Sequence, residues 1–383
     1  MASAETPVSA KTGSGGSPQK KFGLVLQGCA ALGAYEAGAI KCLYGRGMEC
    51  TIVAGASSGA LNAVKLAAAK NPPDDVEKMW REFASDAELP PLVPIKLEVP
   101  HMYSARMDYW ALPAWTYGAY NTPLKEMLEG LDWDQVRDPD HMRVFVSASD
   151  IENGKTVYFS NIPPGRLPPG QPEYLDGHFG VQHVLASGSF PGGYPWTVID
   201  GRTYWDGGAT DNTPIHPVID NLTKAEAETL PIYVIDVFTG AGSKPTNLLE
   251  VELRFFELLL QNNLETDTKR AQRYARFISL LKDVNKILVQ KDAKRILDEV
   301  KKLPAAPSGL EDLLEDLLRV KRKKDWGDVM KYDHVQNVHA VDIKKPAEDN
   351  PAEYTKQTIE RRLQQGCEQM CQYLDSPSSA TSG

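Results

Sequence analysis

Two short apolar runs, each stopped by a glycine and each followed at once by a stretch of helical period, constrain this chain more than any other feature. Phe22-Gly23-Leu24-Val25-Leu26 stops at Gly28 and gives way to helical spacing over 34–44. Thr51-Ile52-Val53-Ala54 stops at Gly55 and gives way to a second such stretch, rich in small residues, over 60–70. Short runs without polar alternation suit strands buried on both faces. Strand, turn and helix repeated at this spacing predict an α/β fold with a mainly parallel sheet. Further strands are expected at 142–148 and 155–159, around the turn Glu152-Asn153-Gly154, and again at 197–200 and 231–238.

The two strand-to-helix turns carry the chemistry. Gly55-Ala56-Ser57-Ser58-Gly59 fits G-x-S-x-G in the required context, after an apolar strand and before a small-residue helix. A tight turn there lifts the Ser57 hydroxyl above the sheet edge, and the positive end of the following helix favours developing negative charge. The other turn, Gln27-Gly28-Cys29-Ala30-Ala31-Leu32-Gly33, presents backbone N–H groups to an anion. That anion is either a nucleotide phosphate or the oxyanion of an acyl intermediate. The phosphate readings fit poorly, because no Gly-Lys-Ser/Thr is present and Cys29-Ala30 breaks G-x-G-x-x-G.

A third feature is Asp206-Gly207-Gly208, which follows the expected strand at 197–200. The carboxylate is either a turn residue or the base of a Ser57–Asp206 dyad, taking the hydroxyl proton and returning it to the leaving group. A triad through His216, His334 or His339 is the alternative, since the order Ser, Asp, His suits a hydrolase, but none of the three carries a local signature.

Together and in this order, the three motifs resemble those of the patatin-like phospholipases, particularly the bacterial branch. That family pairs a glycine-rich oxyanion loop with a G-x-S-x-G serine and a late D-G-G/A aspartate, without histidine. Residues 186–191 and 204–214 are also similar to that branch, and 354–366 less specifically. The resemblance implies a three-layer α/β/α sandwich with a mainly parallel central sheet, plus a helical C-terminal extension. It also implies hydrolysis of phospholipid or neutral acyl esters through an acyl-enzyme, with no cofactor and no metal. On this reading Ser57 and Asp206 act, Gly28, Cys29 and Ala30 form the oxyanion hole, and Gly33, Gly55, Gly59, Gly207 and Gly208 support the motifs. The implied organisation is a disordered leader over 1–20, a hydrolase core over 21–245, a charged helical region packing on it over 246–375 and a loose tail over 376–383. One departure stands out. Where the family has three successive glycines, this chain has Gly28-Cys29-Ala30, and a positive φ at Cys29 would cost about 1–2 kcal/mol. A lipid-binding relative with little or no turnover is therefore the competing reading, and an acyltransferase sharing the acyl-enzyme is a third.

Composition excludes some partners. The net charge of −9 provides no broad cationic face, so nucleic acid is not expected. No apolar run reaches the length that spans a bilayer, and the first nineteen residues lack the apolar middle of a secretory signal. Five cysteines without regular spacing argue against a disulfide framework and fit a reducing, cytoplasmic setting. Cys367 and Cys371 sit four apart on a helical pattern, with no further Cys or His following at zinc-ligand spacing. The aromatics Tyr103, Tyr109, Trp110, Trp115 and Tyr117 read as a lid, a pocket wall or a core insertion. Leu310, Leu313, Leu314, Leu317 and Leu318, followed by basic residues up to Lys324, read as either a core-facing stripe or a peripheral membrane contact. Oligomeric state, head-group preference and chain-length preference leave no mark in the sequence.

Overall fold

The computed structural model describes residues 20–85, 101–102, 104–105, 116–167, 173–175, 179–238, 244–245, 251, 254–255, 257–258, 260, 338–346 and 349–376. The expected leader (Lys20 apart), the aromatics Tyr103, Tyr109, Trp110 and Trp115, the leucine stripe at 310–324, His334 and the tail beyond Ser376 lie outside them.

The first half of the chain runs β1 (Lys20–Leu26), α1 (Gly33–Gly45), β2 (Met48–Gly55), α2 (Ser58–Ala68), α3 (Pro72–Phe83), β3 (Ser104–Ala105), β4 (Ala119–Tyr120), α4 (Thr122–Glu129) and α5 (Trp133–Val136). The hairpin β5 (Arg143–Asp150) and β6 (Lys155–Ser160) follows, then β7 (Glu173–Leu175), α6 (Val181–Ser187), β8 (Thr197–Ile199) and β9 (Arg202–Asp206). The chain closes with α7 (Ile215–Asp220), α8 (Lys224–Thr229), β10 (Ile232–Asp236), β11 (Val338–Asp342) and α9 (Lys356–Asp375).

The sheet order is β11-β10-β1-β2-β5-β6-β7. From β11 to β5 every pairing is parallel. β6 and β9 are antiparallel to β5, and β8 pairs with β9. Strand side chains alternate between two cores, as the pleat requires. Phe22, Leu24, Leu26, Val53, Val144 and Val146 face one side with residues of α1, α2, α3 and α9, among them Ile40, Leu66, Trp80 and Leu363. Val25, Ile52, Ala54 and Phe145 face the other with Ile215, Val218 and Ile219 of α7. The result is the expected α/β/α arrangement around a mainly parallel sheet.

Helix α9 lies directly against α1. A Cβ at Gly38 would collide with the Leu363 carbonyl, and one at Gly366 with that of Tyr35, so both positions exclude any larger residue. Cys42 of α1 is disulfide-bonded to Cys371 of α9 across 329 positions of sequence. This corrects the expectation drawn from the odd cysteine count. Pairing depends on which residues the fold brings together, and a leftover thiol does not prevent it. No described helix is long and apolar enough to cross a membrane.

Candidate active site

The strand ends bring the site together. β2 runs parallel to β5 and stops at Gly55, opposite Val146. β9 runs the other way along the same edge of β5 and stops at Asp206, opposite Ala148. The two strands therefore meet nearly end to end, and the turn after each points at the other.

Ser57 occupies the turn between β2 and α2 with φ 51° and ψ −119°, a conformation costing roughly 1–3 kcal/mol that must be held in place. Its N–H donates to Ser187 Oγ at 3.0 Å, and the Gly59 N–H to Ala56 O at 2.7 Å. Gly55 and Gly59 are needed for close approach: a Cβ on Gly55 would strike Gly59's carbonyl, and one on Gly59 would reach within 2.5 Å of Leu26 O. The positive φ is carried by the serine itself. Ser57 is half-buried.

Asp206 is 3% exposed. Its N–H donates to Ser189 O at 3.0 Å, and its carbonyl accepts from Ser149 Oγ at 2.7 Å. Carboxylate Oδ1 accepts from the Gly208 N–H at 2.7 Å. Oδ2 is buried without a hydrogen-bond partner of ordinary geometry. Burial pushes the carboxyl up from 3.8 to about 6, against smaller downward pulls from the Ser57 hydroxyl and the Gly208 N–H. The Ser57 hydroxyl thus influences the carboxylate, and contacts between such groups commonly tighten only when substrate aligns them. No histidine is among those influences. His339 lies on β11, its ring stacked on Tyr233 and its Nδ1 3.1 Å from Tyr373 Oη. His216 lies on α7.

The loop after β1 differs from its sequence reading. Cys29 takes φ −151° and ψ 20°, on the negative-φ side, and the positive φ of 49° falls on Ala30. The Cys29 N–H donates to Ser58 Oγ at 3.0 Å, so it is already engaged. The Gly28 N–H makes a long bond of 3.3 Å to Asn212 O. The Ala30 N–H has no acceptor among the described residues, and Ala30 is exposed. Behind the loop, the C-terminal segment grips Ala31 from both ends: its N–H donates to Pro351 O at 2.9 Å, and its carbonyl accepts from Arg362 at 3.2 Å. Arg362 is fully buried and paired with Asp349 at 2.7 Å, which also accepts from Tyr35 Oη.

Under the loop lies a second buried carboxyl. Glu36 Oε1 accepts from the Gln27 N–H at 2.6 Å and Oε2 from Asn62 Nδ2 at 2.9 Å; Asn62 in turn accepts from Trp80 Nε1. Burial drives Glu36 up to about 8, so it is largely protonated at neutral pH.

Sequence reasoning missed Asn212. It is fully buried, and both its Oδ1 and its Nδ2 lack hydrogen-bond partners. Oδ1 sits 2.5 Å from where a Cβ on Gly28 would be and 2.8 Å from one on Gly208, so the amide is wedged between the two glycine turns. A buried amide without partners costs about 1–3 kcal/mol, and such groups are few in a folded protein. Its only sequence signal was membership of the 204–214 block. Ser187 was likewise visible only as part of 186–191.

The family model for patatin-like phospholipases matches residues 24–219, just over half of the chain, and the turns bearing Ser57, Asp206 and Asn212 all fall inside it. No curated protein is a significant match. Among solved structures, the chain is similar to VipD from Legionella pneumophila, with 15% identity and a TM-score of 0.40 over 94% of this chain and 67% of that one.

Proposed function

Because this chain belongs to the patatin-like phospholipase family, a family of lipid hydrolases, we propose that it cleaves lipid acyl esters with Ser57 as nucleophile and Asp206 as base. The observation that carries this reading is the end-to-end meeting of β2 and β9 on β5, which sets the strained serine against a buried carboxylate with one free oxygen. Ser57 Oγ attacks the ester carbonyl while its proton passes to Asp206 Oδ2. The oxyanion that forms is held by backbone N–H groups of the Gly28 and Ala30 turn, at the positive end of α2. Protonated Asp206 then gives its proton to the departing alcohol, and water, deprotonated by the same carboxylate, releases the acid from Ser57. A carboxyl titrating near 6 suits a group that must both take and return a proton.

Apolar surface beside the site supports a lipid substrate. Leu260 approaches Gly208, and the helical residues Val251, Phe255 and Leu258, whose spacing turns them away from the Leu260 side, are 48%, 59% and 44% exposed. Such a ridge suits contact with a lipid surface, where substrate is presented.

A second reading has its own observation. The Cys29 N–H is bonded to Ser58 and the Gly28 N–H makes a long bond to Asn212 O, which leaves Ala30 as the loop N–H without an acceptor among the described residues and favours a slow or lipid-binding relative. Treatment with a fluorophosphonate followed by peptide mapping separates the two. A single adduct on Ser57, absent in Asp206→Asn, is the expected result. A folded protein that takes no adduct would instead establish the binding relative.

A further inference from the structure

The fold supplies what the spacing of Cys367 and Cys371 lacked. Cys42, on α1 and more than three hundred positions away, comes to the same point, and the three sulfurs lie within 4.8 Å of one another. Cys42 is buried, while Cys367 and Cys371 are half-exposed on α9. Two of the three are joined as a disulfide, and Cys367 stands beside it as a free thiol.

We propose that this cluster is a thiolate site with two forms: a Cys42–Cys371 disulfide when oxidised, and a three-sulfur site for a thiophilic divalent cation of the zinc class when reduced. A tetrahedral zinc ion with sulfur ligands at about 2.3 Å places those sulfurs about 3.8 Å apart, within the spread found here. Opening the disulfide by that amount needs side-chain rotation only, since α1 and α9 stay packed through Gly38 and Gly366. Three sulfurs leave a fourth position on the side where Cys367 and Cys371 meet solvent, and water can occupy it. Soft thiolate ligands select cations of this kind over magnesium or calcium.

The chemistry balances. A dithiol reduces the Cys42–Cys371 bond by exchange, giving two protein thiols and its own disulfide. The cation then displaces one proton from each of three thiols. In both forms α9 remains tied to α1. That matters for the site because α9 also carries Arg362, which holds Ala31 behind the glycine loop.

The test uses the full chain, reduced anaerobically with a dithiol, freed of reductant and titrated with cobalt(II) in place of zinc. One equivalent should bind with the intense near-ultraviolet thiolate-to-cobalt band, and zinc should displace it. The oxidised protein should show no band. Cys367→Ser leaves the disulfide pair intact, so it should fold, and in its reduced form it should bind roughly 100-fold or more weakly. The proposal is overturned if the reduced protein shows no thiolate band, or if reduced Cys367→Ser binds as tightly as the parent. Neither readout depends on ester hydrolysis, so this site and the hydrolase reading fail independently.

Discussion

The two strand-to-helix turns of the site are built on the same plan and solve it differently. After β2 the strained residue is Ser57 itself, and the glycines on either side let the backbones close around it. After β1 the strained residue is Ala30, a position with a Cβ, and the residue before it lends its N–H to the neighbouring turn through Ser58. The first turn holds one side chain in an unfavourable conformation because that side chain must project. The second must present backbone, yet it carries the strain without glycine and is held from behind by a distant segment, through Ala31, Arg362 and Asp349.

The largest expected effect lies in the first turn. Ser57→Ala should lower ester turnover by roughly 10⁴-fold or more with the fold retained, read by initial rates and circular dichroism. The folded stability should hold to within about 1 kcal/mol, because alanine keeps the backbone and its N–H bond to Ser187. An active Ser57→Ala protein would place the chemistry elsewhere.

The second turn breaks next through its clamp. Arg362→Met strips the buried guanidinium from Asp349 and from the Ala31, Asn350 and Glu353 carbonyls, and although Arg361 still pairs with Asp349 at 2.7 Å, it should cost about 2–4 kcal/mol of stability in denaturant titrations. A change below about 1 kcal/mol would mean that the C-terminal segment does not hold the loop.

These turns also differ in their titration. Ser57 works through a carboxyl near pH 6 that must be ionised, so activity should rise as pH passes about 6. The loop sits over Glu36, which is favoured in its neutral form. Its folded value of about 8 lies above the ordinary 4.5, so the stability it confers is complete below 4.5 and is lost as pH rises through 8. Activity should therefore fall on the alkaline side near pH 8. Glu36→Gln, which cannot ionise, should remove that fall while leaving the acid limb in place. An unchanged alkaline limb would detach Glu36 from the loop.

Between the turns stands Asn212. Its amide contributes no hydrogen bond to the resting fold, and its backbone bond to Gly28 survives truncation. Asn212→Ala should thus lower turnover by about 10- to 100-fold while leaving thermal stability unchanged or higher. A purely structural residue would give the opposite pattern, with lost stability and intact rate.

Much of this was legible because it is local. The strands, the G-x-S-x-G turn and Asp206-Gly207-Gly208 each declare themselves within a dozen residues. What stayed hidden depends on contacts across the chain: Ser187 holding the Ser57 N–H, Arg362 reaching Ala31, and Cys42 meeting Cys371. The sequence reading also placed the cost of losing the glycines at Cys29, where φ is negative, because residue type alone does not say which loop position takes a positive φ.

The smallest prediction follows from that misplaced strain and tests the comparison most finely. At φ 49° an alanine Cβ crowds its own backbone, and glycine at the same position is relieved of that cost. Glycine also widens the unfolded ensemble, which works against it. The balance for Ala30→Gly should be a gain of about 0.5–1 kcal/mol. Cys29→Gly meets only the second effect and loses a buried side chain, so it should destabilise by about 1 kcal/mol or more. Chemical denaturation of the two single variants reads the contrast directly. Opposite signs place the strain at Ala30; a gain in both would mean that the loop is strained throughout, unlike the single-residue strain at Ser57.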